Sequence, residues 1–123
     1  MLFLDTSAVL ELLYGTEKGE QIKEFIKEKP ISISSLNVHE LLVGLKNEEK
    51  AVLNNFLTEV EVLPFDKQSA QKSAELARAL KTKGKMINQM DILIAAMCLH
   101  HTCILVTCDK HFLAVDGLDV HMF

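Results

Sequence analysis

Four acids, Asp5, Glu40, Asp91 and Asp109, interrupt otherwise apolar stretches of this chain. A carboxylate on an apolar face costs several kcal/mol unless something compensates its charge. No Lys or Arg lies between Lys85 and Lys110, so the neighbours of Asp91 supply no ion-pair partner. That acid either caps its helix or faces a bound cation alongside other acids. Four carboxylates converging on one place repel one another, and neutral pH then favours divalent cations or raised pKa values. Ligation by carboxylate and water oxygens suits Mg²⁺ or Mn²⁺ better than zinc. Such a centre lowers the pKa of a bound water and neutralises a leaving oxygen, which fits phosphodiester hydrolysis. Thr107, two residues before Asp109, is placed to orient a carboxylate or a water through its hydroxyl.

The elements that must hold these acids follow from periodicity and punctuation. Leu2-Phe3-Leu4 is a short buried strand that ends at Asp5 and turns directly into a helix, Ala8 to Tyr14, with Thr6 or Ser7 as its N-cap. Gly15 stops that helix. A second runs from Glu17 to Lys29 with Ile22, Phe25 and Ile26 inward. After Pro30, Ile31 to Ser34 alternates as a strand, and Ser34 or Ser35 caps a helix reaching Leu45. Its apolar body is Leu36, Leu41, Leu42 and Leu45, with Glu40 partly buried beside Leu36, Val43 and Gly44. A break at Asn47–Glu49 precedes a helix carrying Val52, Leu53, Phe56 and Leu57, and Glu59 to Leu63 alternates as a third strand. Asp66 caps a long helix ending at Lys83–Gly84, with Ala70, Ala74 and Ala77 expected inward.

The Asp91 helix is apolar almost throughout, with Asp91 on the side of Ile94, Ala95 and Cys98, and it ends near His100–His101. Cys103 to Val106 reads as a central parallel strand, followed by a short helix containing Phe112 and a last strand, Leu118 to His121. Alternating strands and helices imply an α/β fold: three layers, α/β/α, around a mainly parallel sheet in one domain spanning 1–123. Ligands of such sheets bind beyond the carboxyl ends of the strands, where Asp5 and Asp109 both fall.

Composition excludes several classes. Hydrophobic residues make up 49% of the 123 and charged residues 24%, a globular balance. A net charge of -4 argues against holding nucleic acid by bulk positive charge, though not against a local basic rim on an acidic site. Lys81, Lys83, Lys85 and Lys110 are candidates for that rim; equally, lysines at a helix end complement its dipole. Cys98, Cys103 and Cys108 read as reduced thiols in or near the core. None of the five histidines has a spacing that demands a metal, and all are read as surface or interface. With no signal region and no membrane-length apolar run, a soluble cytoplasmic protein is expected.

The segments around the acids also resemble a known family. Leu4-Asp5-Thr6-Ser7, Val38 to Leu45, Asp91 to Ala96 and Leu105 to Phe112 resemble, in order and spacing, the motifs of PIN domains. They are most similar to small VapC-type toxins of prokaryotic toxin–antitoxin pairs. The resemblance implies a metal-dependent endoribonuclease, usually dimeric, that cuts structured RNA and is blocked by a small antitoxin. It further implies Asp5 and Asp91 as principal metal ligands, with Glu40 and Asp109 completing the acidic pocket directly or through water. Asp109 is counted among the ligands, and Ser7 and Thr107 support. The dimer surface is left open, with the apolar and mixed faces of the helices at 17–29 and 48–57 as candidates. Two departures from the family stand out: a polar approach, Lys85 to Gln89, to the third acid, and His100-His101-Thr102 where a glycine turn is common. The alternatives are an inactive PIN-like module that binds RNA or protein, and a receiver-like signalling domain. The latter needs paired acids after the first strand, where Asp5 stands alone.

Overall fold

A computed structural model describes residues 1–123. Its elements are β1 (Leu2–Leu4), α1 (Thr6–Tyr14), α2 (Glu17–Ile26), β2 (Ile31–Ser34), α3 (Ser35–Gly44) and α4 (Lys50–Leu57). They continue through β3 (Glu61–Leu63), α5 (Lys67–Thr82), α6 (Gln89–His101), β4 (Ile104–Thr107) and β5 (Val120–Met122). Short 3-10 turns occupy Asn47–Glu49 and Lys110–Ala114.

The five strands form one sheet in the order β3-β2-β1-β4-β5, and every pairing is parallel. The chain builds outward from β1 to β2 and β3, then crosses back to add β4 and β5 on the other side. The direction of winding therefore reverses between β1 and β4, which opens a crevice at their carboxyl ends.

Side chains of β1 alternate between two cores. Phe3 faces Leu76, Leu80, Ile94, Met97, Leu105 and Phe112, while Leu2 and Leu4 face Val9, Ile22, Ile33, Leu41, Leu53 and Val106. Helices α5 and α6 thus cover one face of the sheet and α1 to α4 the other, the expected three layers. The tightest approach within the second layer is at Gly19 of α2. A Cβ there would meet the Glu11 carbonyl oxygen of α1 at 2.1 Å, so the two helices pack this closely only over a hydrogen.

Three local expectations are corrected. The buried stripe of α5 is Ser69, Ser73, Leu76 and Leu80, whereas Ala70 and Ala74 face solvent and Ala77 is half-buried. Both stripes obey a three-to-four spacing, and the two leucines bury far more apolar surface than alanines would. In α3, Leu42 is exposed, as is Val52 in α4. Finally, α1 begins at Thr6 and its N-cap is Asp5, not Thr6 or Ser7. The glycine-poor turn after α6 is closed by Thr102 itself, held at φ 54°, ψ 48°. A β-branched residue in that left-handed region stores about 1 kcal/mol or more of strain, which the surrounding buried α6 and β4 must offset.

Candidate active site

An open cleft of about 300 Å³ lies at the carboxyl end of the sheet, and Asp5, Glu40, Asp91 and Asp109 all line it. Each comes from a different segment: the end of β1, the second turn of α3, the first turn of α6, and the residue after β4 and Cys108. Thr6, Ser7, Asn37, Asn88 and Phe112 complete much of the wall.

Asp5 is the most enclosed of the four, only 6% exposed. One carboxylate oxygen accepts the Ala8 N–H (3.0 Å) and the Ser7 hydroxyl (2.7 Å), and the other accepts the Thr107 hydroxyl (2.6 Å). Ser7 and Thr107 are in turn held by the next strand's turn. Ser7 Oγ accepts the Cys108 N–H at 3.0 Å, and Thr107 Oγ1 accepts the Asp109 N–H at 3.0 Å. Burial raises the Asp5 pKa, opposed by the Thr107, Ser7 and Ala8 hydrogen bonds and reinforced by the charge of Asp109.

Glu40 is oriented from below. The buried Asn37 accepts the Ser34 N–H and donates to Thr6 Oγ1 (3.0 Å), and Thr6 donates to Glu40 Oε1 (2.8 Å). Asp91 does not cap α6; Asn88 does. The Asn88 side-chain oxygen accepts the Asp91 N–H (2.9 Å), while its amide donates to Asp91 Oδ2 (2.8 Å). The polar approach to this acid is therefore what orients it. Asp109 caps the turn that follows β4, accepting the His111 N–H at 2.9 Å.

Desolvation, then the charges of Asp109, Asp5 and Glu40, raise the Asp91 pKa to about 6, with nearby His111 opposing them. The sign of the consequence is fixed by linkage. Between the unfolded value near 3.8 and about 6 the folded protein binds more protons than the unfolded chain, so Asp91 weakens the metal-free fold as pH rises through that window. The penalty is fully present above about pH 6 and absent below about pH 4. Without metal, Asp91→Asn should therefore melt higher than wild type at pH 7.5, with the gap closing toward pH 4. Thermal denaturation in chelator across that range checks it, and a gap that widens on acidification would contradict it.

The site also contains residues that sequence reasoning missed: Thr6, Asn37, Asn88 and His111. Asn37 lies three residues after Ser34 and Asn88 three before Asp91, a capping spacing that was legible. His111 is exposed as expected, yet its Nδ1 lies 3.1 Å from Asp109 Oδ1. Of the rim lysines, Lys83 pairs with Asp116, and Lys81, Lys85 and Lys110 are exposed. The three cysteines are free thiols outside this cleft, and burial pushes the pKa of each upward. A larger apolar groove, about 370 Å³, lies between α1, α2 and α4, the last two being the helices named as candidates for a dimer surface. None of the four acids lines it.

A parallel α/β sheet with four carboxylates gathered at its winding-reversal crevice defines an α/β protein with an acidic cleft. The donor set fits a divalent cation: ligand atoms of Asp91, Asp109 and His111 all lie within 4.8 Å of one another. Residues 2–118 match the PIN domain. A VapC ribonuclease of Sinorhizobium fredii is 31% identical, covering 98% of this chain and 95% of its own length. Ribonuclease VapC5 of Mycobacterium tuberculosis is 28% identical, covering 93% and 87%. Among solved structures, VapBC2 from Rickettsia felis bound to a promoter DNA fragment superposes with a TM-score of 0.88 at 25% identity, over 100% of this chain and 99% of that one. The chain belongs to the PIN domain family. That assignment displaces the receiver-like alternative. No helix is long and apolar enough to cross a membrane.

Proposed function

We propose that this protein is a Mg²⁺- or Mn²⁺-dependent endoribonuclease, the toxin of a toxin–antitoxin pair, acting in the cytoplasm on structured RNA as a homodimer. The observation that carries the reading is the convergence of Asp5, Glu40, Asp91 and Asp109 on one cleft. The similar proteins are named VapC ribonucleases, and solved structures of the same fold are VapBC complexes, which supports a small antitoxin as partner. Intact acids at all four positions speak against an inactive binding module.

Asp5, Asp91 and Asp109 are the residues that would hold the cation. Bound there, a divalent ion supplies charge neutralisation at the scissile phosphate and a lowered pKa for an attacking water. The chain's own contribution is preorganisation. Ser7 and Thr107 fix both oxygens of Asp5, and Asn88 fixes one oxygen of Asp91, leaving the other open to the cleft. The Thr6 hydroxyl holds Glu40 Oε1, so Oε2 is the oxygen available to take a proton from water.

Incubating the purified chain with tRNA or rRNA tests this. Cleavage should require added Mg²⁺ or Mn²⁺, stop on chelation, and return when the ion is restored in excess. Cleavage that persists in chelator, or none with either ion, would overturn the assignment.

A further inference from the structure

His111 stands on the short turn that Asp109 caps, and the geometry of that turn folds its imidazole back over the capping carboxylate. The backbone N–H of His111 donates to Asp109 Oδ1 at 2.9 Å, and the ring Nδ1 lies 3.1 Å from the same oxygen. Asp91 completes the group: one ligand atom each from Asp91, Asp109 and His111 lie within 4.8 Å of one another. In six-coordinate ions with ligand distances near 2.1 Å, donors on adjacent vertices sit about 3.0 Å apart. The nitrogen and Asp109 Oδ1 already have that separation. The ring is largely exposed, with 62% of the side chain accessible, so it is free to turn toward the cleft.

We propose that His111, through Nδ1, is a nitrogen ligand to the cation held by Asp91 and Asp109, so that this cleft takes Mn²⁺ in preference to Mg²⁺. The proposal rests on the metal-site reading given above and adds to it the one non-oxygen donor within reach. Carboxylate and water oxygens alone serve either ion, whereas Mg²⁺ gains little from an imidazole and transition ions gain more. A nitrogen at one vertex therefore discriminates between ions that the four acids treat alike.

The test uses the full chain without an affinity tag, with Mn²⁺ and Mg²⁺ as probes. Calorimetric titration of wild type, His111→Ala and His111→Gln gives the affinity for each ion, and pulsed EPR of bound Mn²⁺ detects nitrogen coordination directly. His111 is exposed, so both variants should fold, and circular dichroism checks this. The expected result is Mn²⁺ affinity weakened about tenfold in both variants, Mg²⁺ affinity unchanged within about twofold, and a nitrogen modulation present only in wild type. Mn²⁺ that binds wild type and both variants alike, without that modulation, would overturn the role of His111 and leave the carboxylate site standing. A wild type that binds neither ion would overturn the metal site and His111's role together.

Discussion

Asp91→Asn should lower kcat/KM for RNA cleavage by about 10³-fold while leaving the fold intact. The substitution removes one negative charge and almost nothing else. Asn88 still caps α6 through the residue 91 N–H, and its amide still finds an oxygen to donate to. What disappears is a carboxylate whose pKa stands at about 6 because it is partly desolvated and faces Asp109 and Asp5. That raised value measures how poorly the cleft tolerates its own charges without a cation. The same repulsion becomes attraction when a divalent ion enters, and the neutral amide offers that ion a far weaker ligand. Steady-state cleavage by the purified variant, with circular dichroism to verify folding, checks the expectation. Activity within tenfold of wild type would remove Asp91 from the ligand set.

The acids were visible in the sequence because each contradicts its surroundings. Asp5 ends an apolar run, Asp91 opens an apolar helix, and Asp109 follows an apolar, branched strand. Strand-to-helix alternation then placed two of them at the carboxyl edge of a parallel sheet. Their supports were less legible, since the hydrogen bonds that orient them cross the fold. Thr6 to Glu40 spans 34 residues and Thr107 to Asp5 spans 102. No periodicity announces such pairs. The inward face of α5 was misjudged for a different reason: two helical stripes compete there, and the packing of Leu76 and Leu80 decides between them. The α1 cap is assigned from sequence to Thr6 or Ser7, and falls instead on Asp5, because one residue performs two tasks. Asp5 satisfies the Ala8 N–H while presenting its charge to the cleft.

That double duty separates two substitutions at Asp5 that remove the same charge. Both Asp5→Asn and Asp5→Ala should abolish cleavage, since neither leaves an anionic ligand, yet their stabilities should diverge by about 2–3 kcal/mol. In Asp5→Asn the retained carbonyl keeps the N-cap to Ala8 and the bond from Ser7. The new amide then faces Thr107 Oγ1, which already accepts the Asp109 N–H and has a second lone pair for it. The Thr107 hydroxyl needs only to turn its proton toward Ser7 Oγ, 3.3 Å away. In Asp5→Ala the Thr107 hydroxyl can make the same turn, but the Ala8 N–H loses its cap and the Ser7 hydroxyl loses its acceptor, beside the fully buried Thr107. Because both variants are neutral, relief of carboxylate repulsion is common to them and cancels in the difference. Urea unfolding of the two proteins in chelator at pH 7.5 measures what remains. Equal midpoints would mean that Asp5 contributes charge to the cleft but no structural hydrogen bonding, contrary to the three bonds it accepts.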